Sequence, residues 1–240
     1  MTHYLTTDTM FTEIMHRPAY RLDFSDASLL TDEILAGEVL KPLAEPGAFC
    51  YSKIAINALD TMRFLFERGF MLIDTSTTFD KPFTSDTPLS GINTVRFATP
   101  DDATGTEQAA RESFVYSRFH QDPLIPHEIA NEIKAVWVGN FFRGKRGHAM
   151  IVAEVAGEIA GFLQLLYKGD SLVIDLIAVR PAYQRRGIAR DMIAYAQSHC
   201  PPHQTVIVTT QLINIPSMRL YESLGFRMMN AQHIFHYHNL

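Results

Sequence analysis

Cysteine is nearly missing from this chain: Cys50 and Cys200 are the only two in 240 residues. Two thiols cannot build a disulfide framework, and they suit a reducing compartment. No apolar run approaches the length of a membrane-spanning helix, about 18 residues or more. The opening residues, MTHYLTTDTMFTE, carry neither the basic nor the apolar region of a secretion signal. A cytoplasmic protein with no membrane association is therefore expected. The net charge of −5 leaves no broad basic face, so no nucleic-acid partner is expected either. Neither GxxxxGK[ST] nor GxGxxG occurs, which removes the two common nucleotide loops. No spacing of His, Cys, Asp or Glu reads as a metal site. What remains is an ordinary globular composition, 47% hydrophobic and 20% charged, in a chain long enough for one large or two small domains.

The most informative stretch is 172–198, LVIDLIAVRPAYQRRGIARDMIAYAQS. Residues 172–179 form a nearly continuous apolar run interrupted by Asp175, the pattern of a buried strand. Arg180-Pro181 ends it. After Gln184-Arg185-Arg186-Gly187-Ile188-Ala189, an amphipathic helix begins with Ile188, Met192, Ile193 and Ala196 on one face. A glycine turn that opens a helix is an anion site. The first helical N–H groups have no partners within the helix, the dipole is positive there, and a glycine lets a ligand approach. Arg180, Arg185, Arg186 and Arg190 add charge of the right sign. A phosphate or pyrophosphate ligand follows.

The rest of the chain falls into two runs. In the first, a helix is expected over about 29–40, capped by Asp26 or Ser28. A strand over 49–56, a helix over 58–68 stopped by Gly69, and a strand over 70–79 follow. Residues 1–25 give few signals. The Pro/Ser/Thr-rich residues 81–90 read as a linker. The second run has a strand at 94–98 and helices at 103–113 and 128–142, with an aromatic and polar loop at 113–126 between them. A hairpin spans 148–155 and 159–166, followed by the strand–turn–helix above. A strand at 205–210, a helix opened by Asn214-Ile215-Pro216-Ser217, and a last strand at 226–237 complete the run. MRFLFERGF at 62–70 and MRLYESLGF at 218–226 align without a gap, and Phe79 falls opposite Phe235 at the same offset. The first copy has no glycine turn upstream and carries Leu65 where the second has Tyr221.

The motif Q/R-x-x-G-x-G/A at 184–189, after Leu176-Ile177-Ala178-Val179 and before a helix, resembles the acetyl-CoA pyrophosphate loop of the GCN5-related N-acetyltransferases (GNAT). Residues 92–240 follow that family's order of elements. The resemblance implies an α+β protein, a mixed sheet in the GNAT fold with splayed central strands. It also implies two regions: a degenerate, partial acetyltransferase-like unit with its linker at 1–90, and an acetyl-CoA-binding catalytic domain at 91–240. Acetyl-CoA would insert beside Ile177, Ala178 and Val179, with its phosphates on the amides of Arg185, Arg186, Gly187, Ile188 and Ala189. Asn214 would hold the pantetheine arm, although it is equally suited simply to open a helix. Tyr221 would be the general acid for the leaving thiolate, or else a buried aromatic. The reference values of ~10 for a phenol and ~8.5 for a thiol permit the transfer.

Asp175, two residues before Ile177 and so on the same strand face, is either the base for the amine or a carboxylate paired with solvent or an arginine. His120, His148 and His199 are further titratable candidates. His233, His236 and His238 crowd the last strand, where adjacent alternate positions suit a solvated face. The loop around Arg118, His120 and Asp122 would form the acceptor pocket, or be a plain surface loop. The layout is also similar to the dTDP-fucosamine acetyltransferases, through GFMLIDTSTTF at 69–79, Ser117-Arg118-Phe119 with Asp122, Trp137, Arg143-Gly144 and the Asn214–Tyr221 helix. The expected activity is acetyl transfer to the primary amine of a small molecule, a nucleotide-linked amino sugar in that second resemblance. A peptide or protein acceptor and a non-catalytic acyl-CoA-binding module are the alternatives, and a homodimer is left open.

Overall fold

In a computed structural model, residues 4–24, 26, 28–85 and 93–240 are described. The first half contains β1 (Leu5–Thr7), α1 (Thr9–Met15), β2 (Ala19–Leu22), α2 (Ser28–Thr31), α3 (Glu33–Leu40), β3 (Phe49–Ala55), α4 (Leu59–Glu67) and β4 (Met71–Pro82). The second contains β5 (Thr94–Phe97), α5 (Ala103–Ser113), α6 (Arg118–Gln121), α7 (His127–Phe142), β6 (Ala149–Val155), β7 (Glu158–Lys168), β8 (Ser171–Val179), α8 (Ile188–His199), β9 (Thr205–Gln211), α9 (Ile215–Ser223) and β10 (Arg227–His238). The mixed sheet and helices make an α+β fold.

The expected single helix at 29–40 is two. Asp32 interrupts it because its carboxylate accepts from Ile34 N and Leu35 N, capping α3 and ending α2. The elements β1, α1 and β2 gave no sequence signal, since pieces of three, seven and four residues are too short to establish a period. The loop at 113–126 contains the helical turn α6. The expected linker begins later than 81, since Lys81 and Pro82 still pair in β4. Residues 86–92, where the boundary between regions was placed, lie outside the described residues.

All ten strands form one sheet, in the order β1-β2-β3-β10-β4-β9-β8-β7-β6-β5. The last strand enters the first half and lies antiparallel between β3 and β4. The register has an internal two-fold relation. Gln232 pairs with both Ala55 and Ser76, and Ser76 also pairs with Gln211. Adding the repeat's offset to β3 and β4 turns the β3–β10 register into the β9–β4 register, pair by pair. The relation extends to β2–β3 and β8–β9, both parallel: Leu22 pairs with Ser52 as Ile174 pairs with Val208. Both repeat helices end alike. Gly69 and Gly225 adopt left-handed φ of 78° and 83°, and the next amides, of Phe70 and Phe226, donate to Leu65 O and Tyr221 O at 3.0 Å.

Helices cover both faces. Ile188, Met192, Ile193 and Ala196 of α8 pack with Tyr221 of α9 and with Leu163, Leu165, Leu172, Ile174, Val206 and Val208 of the sheet. On the other face, Ala109 and Ala110 of α5 and Val138 of α7 pack on Met150, Val152, Phe162, Leu176 and Ala178. Phe11 of α1 joins the halves by packing with Phe49, Phe119, Ile133 and Trp137. Burying several large side chains there, at roughly 1.5–3 kcal/mol each, makes the first half part of one structure with the second.

Candidate active site

β8 and β9 pair only over Ser171–Ile174 and Thr205–Val208. Beyond that they part, and residues 175–179 of β8 keep only β7 as a neighbour. The parting begins at a β-bulge, where Gln164 faces Leu176 and Leu165 faces Ile174, so Asp175 is the extra residue. Before the bulge Leu172 and Ile174 face α8; after it Ile177 and Val179 do, while Leu176 and Ala178 face α5. The bulge corrects the sequence expectation for Asp175. Strict alternation puts it with Ile177, whereas its partners, Arg146 and Gln164, lie on the opposite face. Arg146 donates two bonds to it, at 2.7 and 2.6 Å, and Gln164 Nε2 donates one at 3.0 Å. The arginine-partnered alternative is the arrangement present. The same pairing raises the pKa of Arg146 against the opposing effect of burial.

Ile177, Ala178 and Val179 therefore line one wall of a V between strands, with backbone groups facing the gap. Gly161 is needed behind them, because a Cβ there would stand 2.8 Å from Ala178 O. At the open end of the V, a 3-10 turn (Pro181–Tyr183) leads to Gly187, the N-cap of α8 at φ 79°. Gly187 offers no capping side chain, so the first amides of α8 are left open. Arg185 also adopts a left-handed φ of 62°. Arg186 folds back over the Tyr183 ring at 5.4 Å and donates to Ala182 O. Arg180 does not contribute free charge here, being paired with Glu112 and Glu158 at 2.8 and 3.4 Å. Arg190 donates to Ser223 Oγ.

Tyr221 is 2% exposed and packs between Phe79 and Phe226, with ring centroids 6.0 and 5.7 Å away. Burial pushes its phenol well above the usual range, offset in part by the Ser217 hydroxyl one turn earlier. Asn214 uses both ends of its amide locally: Oδ1 accepts from Ser217 N and Nδ2 donates to Thr210 Oγ1. That is the helix-opening arrangement.

The three acceptor-loop residues separate. Arg118 is buried against the Tyr51 ring at 4.0 Å. His120 bonds Ser117 and Asn131. Asp122 is buried and accepts from Leu124 N, His236 Nδ1 and His238 Nε2, the last two at 2.6 and 2.8 Å. Burial alone would raise the Asp122 carboxyl, but the two histidine bonds outweigh it and hold the pKa well below the usual carboxylate range. The expectation of a solvated histidine face on the last strand is thus corrected. β10 sits inside the sheet, and His236 is wholly buried between Phe49 and Phe119. This buried set was not legible in the sequence, since nothing there says that β10 is an interior strand. A groove of about 360 Å³ beside α5 is lined by Arg96, paired with Asp102 and Glu154, and by Arg180, paired with Glu158 and Glu112; residues 177–179, 185–189 and Asn214 do not line it.

The parted parallel strand pair and the glycine-turn helix at its open end form one cleft. Residues 112–226 match the model of the acetyltransferase (GNAT) family. A curated relative, the spore coat polysaccharide biosynthesis protein SpsD of Bacillus subtilis (strain 168), is 37% identical over 139 residues. The match covers 57% of this chain and 48% of that protein, so the chain spans about half the length of this relative. Among solved structures, a GCN5-related N-acetyltransferase from Sphaerobacter thermophilus matches with a TM-score of 0.63 at 14% identity, over 98% of this chain and 76% of that one. A tandem GNAT protein from the clavulanic acid biosynthesis pathway matches with a TM-score of 0.61 at 11% identity, over 92% and 75%.

Proposed function

We propose that this protein transfers the acetyl group of acetyl-CoA to the primary amine of a small molecule by direct attack in a ternary complex. The observation that carries this reading is the V between β8 and β9, which starts at Asp175 and ends at the open amides of α8. The pantetheine arm would lie along the free edge of Ile177, Ala178 and Val179, as an added strand does. The phosphates would lie on the turn from Arg185 to Ala189. The amine attacks the thioester carbonyl, and the tetrahedral oxyanion collapses with loss of the CoA thiolate. Tyr221 gives the sulfur its proton as the C–S bond breaks: burial keeps the phenol protonated and so in place to donate, and the phenolate left behind regains its proton once the products leave. Asp175, at the closed end of the V, takes the proton from the attacking nitrogen directly or through water. Its bonds to Arg146 and Gln164 fix its orientation.

The first half reads as a partial copy that does not hold the cofactor. β2 and β3 occupy the places of β8 and β9, and α3 follows where α8 would. There the helix amides are already taken by the Asp32 carboxylate, a like charge that repels phosphate. The relative's name places SpsD in polysaccharide biosynthesis. Together with the layout shared with dTDP-fucosamine acetyltransferases, this favours an amino sugar as the acceptor.

Calorimetric titration with acetyl-CoA and with CoA tests the reading. Saturable micromolar binding of acetyl-CoA is the expected result; no binding at millimolar concentration refutes it.

A further inference from the structure

The pairing register places Lys53, Ile234 and Asp74 in one row, and Ala55, Gln232, Ser76 and Gln211 in the next, all on the face that carries α6 and α7. These are interior strands, and interior strands of a wide sheet are normally covered. Here Lys53, Ala55 and Gln232 are exposed, as is Thr209 on the same face. With the buried Ile234 and Ser76 between them, these exposed positions line a trough on that face from the closed end of the V to β3. Its wall is built from α6 and α7.

Two cations in that wall are buried: Arg118 keeps 6% of its surface and Lys134 8%. Arg118 lies 4.0 Å over Tyr51 and 4.6 Å over Phe119; Lys134 lies 4.7 Å from Phe114 and 5.0 Å from Trp137. Among the described residues neither makes an ion pair, and nor does Lys53. Arg118 Nη1 and Trp137 Nε1 are buried donors with no acceptor. The carboxylates nearby answer this charge only in part, Asp175 acting on Lys134 and Asp8 on Arg118 from a distance and without an ion pair. Asp175 is spent on Arg146, Asp8 is reached only through the Tyr51 hydroxyl, and Asp74 sits across Ile234 from Lys53. Burying a cation without a partner is costly, and a protein usually compensates it with a counter-ion.

We propose that Lys134, Arg118 and Lys53 form the binding site for an oxyanion carried by the acceptor amine, a carboxylate or a phosphate, held beside Trp137 at the β3 end of the trough. This rests on the acetyl-transfer reading for the identity of the molecule, while the anion site itself can be measured without it. Burial first, then Arg118 and Lys53, lower Lys134 to about 7, and Asp175 offsets this only in part.

Trp137 is the only tryptophan, so its fluorescence reports on this site alone. With the phosphate loop occupied by saturating CoA, the protein is titrated at pH 6.5 with inorganic phosphate and, separately, with acetate. A saturable change is expected for at least one, and which of them gives it distinguishes the two sources. Lys134→Met should weaken that response at least tenfold. Lys53→Gln, at an exposed position that cannot endanger folding, should weaken it severalfold. Acetyl-CoA affinity should stay unchanged in both. In turnover, hexosamine 1-phosphate or an aminohexuronic acid should be preferred over the plain hexosamine at least tenfold in kcat/KM, and Lys53→Gln should reduce that preference. An unresponsive Trp137 in a protein that binds acetyl-CoA overturns the anion site alone. Failure to bind acetyl-CoA with Trp137 still responding overturns the acetyl-transfer reading alone. Equal responses in wild type and both variants also overturn the site.

Discussion

Replacing Lys134 by methionine should stabilise this protein, and by more at low pH than at high pH. The side chain is 8% exposed, and burial first, then Arg118 and Lys53, bring its pKa from 10.5 to about 7. At about 1.36 kcal/mol per unit, the charged form costs about 5 kcal/mol in the folded state. The sign follows from proton binding. Between pH 7 and 10.5 the unfolded chain holds the proton and the native one does not, so stability rises with pH across that window. Below about 7 both states are protonated and the full cost is present; above about 10.5 it is gone. Methionine keeps the unbranched stem among Phe114, Phe119 and Trp137 and removes the charge. Urea unfolding at pH 6 and pH 9 is the assay. The variant should gain several kcal/mol at pH 6 and clearly less at pH 9. An equal difference at the two pH values, or a loss at pH 6, would refute the argument that an uncompensated cation is buried there.

Tyr221→Phe should lower turnover by about 10²–10⁴ while acetyl-CoA affinity holds, because only the proton to sulfur is removed; unchanged turnover sinks the assignment. For Gly187→Glu, acetyl-CoA binding by calorimetry should disappear, since the φ of 79° disfavours any side chain and the new carboxylate faces the phosphates; retained affinity counts against the loop. Asp122→Asn should cost about 2–4 kcal/mol in urea unfolding, since it replaces the acceptor shared by two buried histidines with a group that carries its own N–H donors. Because the Asp122 carboxyl is held below its unfolded value, its contribution is present above about pH 4 and is lost on acidification. The wild type should therefore destabilise more steeply than the variant as pH falls from 5 to 3, and parallel curves would contradict this.

The sequence by itself determined the parts whose physics is local. The run at 172–179, the proline stop, the glycine turn and the helix after it are a strand, a reversal and a helix wherever they occur, and the open amides of α8 follow from Gly187 alone. The repeat at 62–70 and 218–226 was legible because its glycines and phenylalanines serve the same helix ending in each copy. The tertiary structure decided what depends on partners distant in the chain. That β10 lies between β3 and β4 turns an apparently solvated run of histidines into a buried network with Asp122. A bulge, set by how β7 and β8 pair, moves Asp175 to the face opposite Ile177 and gives it to Arg146. Lys53 and Arg118 lie 65 positions apart in the sequence and Lys134 lies further on, and only the interleaved sheet, with α7 laid across it, brings the three cations together. Side-chain period and capping chemistry act within one or two turns of chain, whereas burial, and every charge effect that depends on it, is set by what the folded chain places on top.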